Sequence, residues 1–292
     1  MILLRYERNR EAAGVDLYRS REILRSPEVR VGADALRVAA DVVEHTHDFV
    51  EVAFVLSGSG DHRSAAGTRT VSRGSVVIIR PGSWHAYSCR NPMTIFNLYL
   101  APELFQEELA WVLDYPRLGW GVLRSGESLA LVAEPSLDRI EAWLHQLTEL
   151  IPERRLPALL GLVGCVLSEL INADFDSGRT DGSVVTDFVR HAMRLLGEDI
   201  EREWVMADLA AEVNVSPSHL HRQFRSQVGM SPMSWLNQLR GERAATLLVQ
   251  TDLPISEIGR AVGWQDPNYM SRRFRSIYST RPSEYRARFR VG

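Results

Sequence analysis

Lysine is missing from this chain: all 34 basic side chains are arginine. That bias reads as the codon usage of a GC-rich genome, and it leaves the planar guanidinium as the group that meets any phosphate or guanine edge. Cysteine is scarce. Cys89 and Cys165 have no second thiol nearby in sequence, which excludes a disulfide framework and argues against a zinc clip or redox pair. No window approaches the ~18 unbroken apolar residues of a membrane span, and the apolar run opening MILLRYERNREAAG is too short for a signal peptide. A cytoplasmic protein is the expectation. At 292 residues the chain can hold two ordinary domains, each with its own core.

Net charge is only -3, but it is unevenly spread. Residues 1–182 carry 19 Arg against 25 Asp and Glu, whereas 212–292 carry 12 against 6. A basic tail behind an acidic front points toward a polyanion. A solvated mixed surface would give the same count, so charge alone does not decide.

From about residue 29 to 100 the pattern is short and punctuated. VEVAFVLSGSG reads as a strand ending in a turn at Gly58, HRSAAGTRTV as a hairpin around Ala65 to Gly67, SVVIIRPGSWH as a buried strand closed by Pro81-Gly82, and TIFNLYL as another strand. These are marks of a small antiparallel barrel. After Pro102 the period becomes helical, and Leu156, Leu159, Leu160, Val163, Val166, Leu167 and Leu170 form a broad stripe. Such a helix packs on the barrel or pairs with its copy in a second chain. DFDSGRTDGS carries no apolar pattern and reads as a linker. The expected organisation is 1–173 sensing and dimerisation, 174–183 linker and 184–292 a helical tail.

The tail repeats itself at an offset of 50, VSPSHLHRQFRSQVGMSP against QDPNYMSRRFRSIYSTRP. Ser216 and Asp266 can accept hydrogen bonds from free N–H groups at a helix start, with proline following at the first helical position. Leu220 with Phe224, and Met270 with Phe274, lie at i and i+4 on a buried face. A shorter helix and a tight turn precede each copy. That is the helix-turn-helix layout, whose second helix enters the major groove. The residues expected at DNA are Ser218, His219, His221, Arg222 and Arg225 in the first copy. Asn268, Tyr269, Ser271, Arg272 and Arg275 are their counterparts in the second. Arg can hold a guanine edge through two donors and Asn can pair with adenine. Ordinary amphipathic helices would explain one copy, but two in register favour DNA.

LAAEVNVSPSHLHRQFR, GMSP, RGERAATLL, ISEIGRAVGWQDPNYMSRRFR and RPSEYR together resemble the DNA-binding domain of AraC-type transcription regulators. The likeness spans about 100 residues. Three positions depart from it: Ser279 stands where glycine is usual, Gly241 where a larger apolar residue is common, and Gly259 where alanine is usual. Ser279 is expected to strain a left-handed turn, and each glycine to loosen its helix by up to about 1 kcal/mol.

In the front half, His45, His47 and Glu51 are separated by even steps, so one strand could point all three inward. With His85 they resemble the spacing of the cupin barrel, where three imidazoles and a carboxylate suit a divalent transition metal. Arg80, Cys89 and Ala39 depart from that family's usual residues at strand ends and loops. Three readings stand side by side: a metal-dependent cupin enzyme fused to a DNA-binding tail, a metal-containing sensor, and a metal-free sensor whose side chains hydrogen-bond a small polar ligand. A structural role at the barrel rim suits His45 or His85 alone better than all four residues together.

Trp84, Tyr87, Phe96 and Tyr99 could supply flat surfaces, and Arg37, Asn97 and the histidines hydrogen bonds, a combination common at sugar sites and also in cores. EHTHDFVEVAFVLSGSGDH, SWHAYS and FNLYLAPELF are similar to the sensor domain of rhamnose-responsive members of the AraC-type family. The resemblance implies a sugar inducer, activation with RNA polymerase, a homodimer and a double-stranded operator. The expected fold is α+β: a cupin-like β-barrel with dimerisation helices, then an all-α domain with two helix-turn-helix units. The expected pocket is His45, His47, Glu51, His85, Trp84, Tyr87, Arg37 and Asn97, with no catalytic residue.

Overall fold

Every residue from Glu51 to Leu56 is buried. A strand covered on both faces is apolar throughout, and here successive side chains enter two different cores. Ala53 and Val55 join Val77, Ile79, Tyr87, Met93 and Ile95 on the concave side of the sheet. Val52, Phe54 and Leu56 pack on the other side against helices.

The structure is a computed structural model describing residues 17–18, 30–123, 126–150, 156–175 and 185–290. Among these residues the strands are β1 (Leu17–Tyr18), β2 (Val31–Val38), β3 (Val42–His47), β4 (Val50–Ser64), β5 (Gly67–Ser72), β6 (Ser75–Ile79), β7 (His85–Leu100), β8 (Glu127–Leu131) and β9 (Asp174–Phe175). They form one bent sheet in the order β1-β3-β7-β4-β6-β8-β9, with β2 also on β7 and β5 on β4. β7 pairs with β3 and the far half of β4 near its start, then with β2 and the near half of β4.

Two sequence expectations change. β4 does not end at Gly58 but runs on to Ser64, with register shifts between Val55 and Gly60. Gly58 is a bulge with φ +78, where a Cβ would lie 2.1 Å from the Pro92 carbonyl oxygen. His45 and His47 end β3, and Glu51 begins the next strand, because the chain bends at Asp48 and Phe49. The His47 Nδ1 contact with the Phe49 carbonyl, 2.8 Å, braces that bend.

Three helices back the sheet: α1 (Pro116–Leu123), α2 (Glu134–Leu150) and α3 (Leu156–Glu169). The apolar stripe of α3 faces its own sheet, where Leu159, Val163, Val166 and Leu167 share a core with Leu137, Ile140, Leu144 and Leu147 of α2. Asp174 and Phe175, assigned to the linker from sequence, pair with β8 instead. Residues 176–183 of that linker, and Val184, lie outside the described residues.

The tail is helical: α4 (Asp187–Glu198), α5 (Met206–Glu212), α6 (Pro217–Val228), α7 (Pro232–Gln250), α8 (Ile255–Ala261), α9 (Pro267–Tyr278) and α10 (Pro282–Phe289). α5–α6 and α8–α9 are the two repeats, and α7 joins them. One core gathers Leu209, Leu220 and Phe224, the other Ile258, Met270 and Phe274. Gly241 and Gly259 have packing reasons that their helix propensity hides. A Cβ at Gly241 would lie 2.5 Å from Ile277 Cδ1, and one at Gly259 2.9 Å from Met270 Sδ.

Candidate functional site

α6 and α9 begin as their sequences require. Ser216 accepts from the His219 N–H at 3.3 Å, and Asp266 from the Asn268 N–H at 2.8 Å. Leu220 and Phe224, like Met270 and Phe274, are fully buried, which fixes the opposite face outward. Ser218, His221, Arg222 and Arg225 are exposed on α6, and Asn268, Arg272 and Arg275 on α9, with Ser271 half-buried. The other two candidates lean back into the protein: His219 stacks near Phe188 at 5.4 Å, and Tyr269 packs on the second core under Arg273. The solvent side thus offers guanidinium, amide, hydroxyl and imidazole groups at the start of each second helix, a set able to read base edges and hold phosphates.

The concave side of the sheet holds the other site. β3 and β7 set His45 opposite His85, with ring centroids 4.0 Å apart. Ligand atoms of His45, Glu51 and His85 lie within 4.8 Å of one another, all buried. His47 stands beside this trio, its Nε2 3.4 Å from Glu51 Oε2 and its ring 5.3 Å from His85. His45 Nδ1 lies 2.9 Å from the Val43 carbonyl and His47 Nδ1 2.8 Å from that of Phe49. A carbonyl only accepts, so each Nδ1 carries the hydrogen and each Nε2 the lone pair. That tautomer is the one metal-ligating histidines adopt, so the donor set fits a divalent transition ion.

Burial, with His45 adding to it, depresses the His47 imidazole to about 3. Burial, and then the Asp34 carboxylate, lifts Glu51 to about 8. His85 is held well below the usual imidazole range by burial and by His45, His47 and His62. With no ion bound, burial therefore favours neutral imidazole at His47 and His85 and the protonated carboxyl at Glu51.

Tyr87 and Asn97 also face this interior; Asn97 Nδ2 donates to the Tyr99 hydroxyl at 3.1 Å, which donates to Asp34 at 2.9 Å. Two expected lining residues are elsewhere. Arg37 lies opposite Thr94 in register and is exposed, because its neighbours Leu36 and Val38 take the inner face. Trp84 packs on the core of the second helix-turn-helix unit, with Arg288 over its ring at 4.6 Å. Phe96 belongs to the helix side of the sheet. Sequence reasoning passed over His62 and Glu127, both buried in the same interior, whose side chains meet at 3.2 Å. The register shifts between Val55 and Gly60 reverse the inward parity set by Glu51, Ala53 and Val55, so counting along β4 from Glu51 points His62 outward, and only the local alternation of Gly60 and His62 signals it.

The outward residues of β3 hold the tail. Arg288 bonds Glu44, Thr46 meets the Tyr285 hydroxyl at 3.1 Å, and Gln250 donates to Asp48 at 2.6 Å. The turn before His85 is gripped as well. Tyr278 donates to the Pro81 carbonyl at 3.2 Å and Tyr285 to that of Gly82 at 2.8 Å. A Cβ at Gly82, which has φ +76, would lie 2.6 Å from the Tyr278 hydroxyl oxygen. Arg80 forms a buried two-bond pair with Glu242 of α7, at 2.7 and 2.9 Å. This accounts for arginine at a position where cupin barrels usually have proline.

Residues 209–288 match the family described as "Helix-turn-helix domain", and 38–162 match "AraC-like ligand binding domain". The chain is 27% identical over 285 residues to the HTH-type transcriptional activator RhaR of Yersinia pseudotuberculosis, covering 94% of each chain. To the RhaR of Mannheimia succiniciproducens it is 24% identical over 248 residues, covering 84% of this chain and 87% of that one. Among solved structures, ToxT from Vibrio cholerae O395 shares the fold with a TM-score of 0.51 at 14% identity, over 89% of this chain and 98% of that one. No described helix is long and apolar enough to cross a membrane. These matches place regulators, not enzymes, beside both halves of the chain. It belongs to the AraC-type family, as a DNA-binding transcription regulator with a helix-turn-helix domain behind a ligand-binding domain.

Proposed function

We propose that this regulator is a cytoplasmic, homodimeric activator that responds to a sugar bound on the concave side of its sheet and acts with RNA polymerase at an operator. The observation that carries the reading is the two-sidedness of β3. His45 and His47 face the pocket, while Glu44 and Thr46 touch the second helix-turn-helix unit, joined by Asp48 just past the strand. A ligand that favours one seating of the tail over another shifts the placement of the two DNA-binding domains of a dimer, and by linkage DNA shifts ligand affinity equally. The names of the RhaR relatives support activation, and the resemblance of the front half supports a sugar. For the dimer the support is α3, which leaves Ala158 and Cys165 partly accessible, with Leu162 also partly accessible although it packs on the core.

The fixed tautomers of His45 and His47 favour a second component. His45, His47, Glu51 and His85 would hold a divalent transition ion, which when bound supplies a Lewis-acidic point for ligand oxygens. Metal analysis of protein purified without chelator, with thermal-shift titration of sugars before and after chelation, tests both parts. Stabilisation by a sugar is expected, and one equivalent of metal whose loss weakens it. No stabilisation by any sugar would contradict the sensor assignment. Sugar binding by metal-free protein at full strength would remove the ion and leave the sensor standing.

A further inference from the structure

His62 and Glu127 come together from β4 and β8, 65 positions apart in sequence, inside the same interior as the histidine cluster. Register explains the meeting. Glu51 and Glu127 both oppose Ile79 across β6, so the two carboxylates emerge on one face. His62 opposes Tyr87 and, on its other side, Arg69. Its ring is 5.6 Å from that of His85, near-parallel at 27°, and 5.0 Å from Tyr87.

His62 is buried, at 1% exposure. Nδ1 stands 3.2 Å from Glu127 Oε2, an oxygen that itself takes part in no hydrogen bond. The His62 Nε2 has no hydrogen-bond partner, nor does the neighbouring Tyr87 hydroxyl. Leaving such atoms buried and unsatisfied is destabilising, so their retention calls for a partner that arrives with the ligand. A ring nitrogen beside a hydroxyl, each able to donate or accept, matches the two-way bonding of a sugar hydroxyl.

We propose that His62, beside Glu127, is a specificity-determining ligand contact: its Nε2 bonds one hydroxyl of a polyhydroxylated inducer whose neighbouring hydroxyls meet the His45, Glu51 and His85 cluster. This rests on the sugar-sensor reading above and adds a second contact locus to it. A ligand with a single oxygen would satisfy one locus and leave the other bare, so recognition calls for at least two hydroxyls on adjacent or near-adjacent carbons.

The test is calorimetric titration of the full chain with L-rhamnose, related hexoses, and a series of the tightest binder's monodeoxy analogues. In the wild-type chain, one deoxy analogue should bind about tenfold more weakly than its parent, as expected for a lost buried hydrogen bond. In His62→Leu the parent should fall by a similar factor and the penalty for that analogue should vanish, with bound metal unchanged. His62→Gln, which keeps an acceptor, should bind between the two, and Glu127→Gln should weaken binding while leaving the analogue ranking in place. Melting temperature checks folding. Should His62→Leu misfold, the wild-type analogue series and His62→Gln still decide. Unchanged affinity and ranking in a folded His62 variant overturns the proposal alone. A wild-type chain that binds no sugar at all overturns the sensor reading and this proposal with it.

Discussion

Ser279 and Gly229 hold the same place in the two tail repeats, each just past the second helix and each left-handed, with φ of 59 and 80. Glycine takes that conformation without strain, whereas a Cβ raises it by about 1–2 kcal/mol. Ser279→Gly is therefore expected to stabilise the protein by about 0.5–1 kcal/mol, the gain being reduced by the added freedom of the unfolded chain. Chemical denaturation of the two chains measures it. The pocket gives a second prediction at this scale, for metal-free protein. His47 and His62, depressed by burial to about 3, stay neutral in the fold where the unfolded chain takes up protons below the ordinary imidazole value of 6.5. Stability is then lost as pH falls from 6.5 toward 3. Glu51 has the opposite sign: raised by burial to about 8, it keeps a proton that the unfolded chain releases above 4.5, so its contribution declines between 4.5 and 8. Those two histidines, with His85 held low in the same way, outweigh one carboxyl where the windows overlap. For these groups, with Asp34, His45, Glu127, Tyr87 and Tyr99 facing them, the expected optimum lies near the point where the histidine slope ends, about pH 6.5. Melting in chelator across pH checks this, and Glu51→Gln should flatten the alkaline side.

Helix by helix, the tail was readable because what shapes it is local. A cap, a proline and an i, i+4 apolar pair lie within one stretch, and the structure returns them at Ser216, Pro217, Leu220 and Phe224 and again fifty residues later. Arg222→Ala and Arg272→Ala are each expected to weaken specific operator binding by about 1–3 kcal/mol, read by mobility shift, while nonspecific DNA is bound nearly as before. Unchanged operator affinity in both would remove α6 and α9 from the DNA face. The strands were read less well, for reasons that are not local. Glu51 was placed on the strand of His45 and His47, but a bend at Asp48 and Phe49 intervenes. Arg37 was taken for a pocket residue, but which face a strand residue takes depends on pairing, and β2 pairs with β7 so that Arg37 points outward. His62 and Glu127 escaped notice because only the register of β4, β6 and β8 brings them together.

Taken whole, the molecule joins its halves through buried polar groups as well as apolar packing, Leu113 and Leu123 entering the core of the first helix-turn-helix unit and Trp84 packing on that of the second. Arg80 and Glu242 are the deepest charged pair across it, and Arg80 also donates to the Val122 carbonyl at 2.7 Å. Removing one partner strands the other, at a cost of about 3–5 kcal/mol, whereas replacing both by apolar groups of similar volume is often neutral. Arg80→Met is accordingly expected to loosen the docked tail, seen as faster amide exchange at the Pro81–Ser83 turn, and to uncouple DNA affinity from sugar. Adding Glu242→Leu should restore the docking. Arg80→Met protein that keeps native exchange and a native response would show that the pair carries no coupling. The most direct test of the central claim, that the barrel reads a sugar and β3 passes the reading to the tail, is DNA affinity itself. It is measured by fluorescence anisotropy on promoter DNA adjoining the gene, with and without saturating sugar. A sugar-dependent change in affinity is expected for the wild-type chain and is expected to disappear in His45→Ala. Identical affinity at every sugar concentration, in a chain that calorimetry shows to bind the sugar, would contradict it.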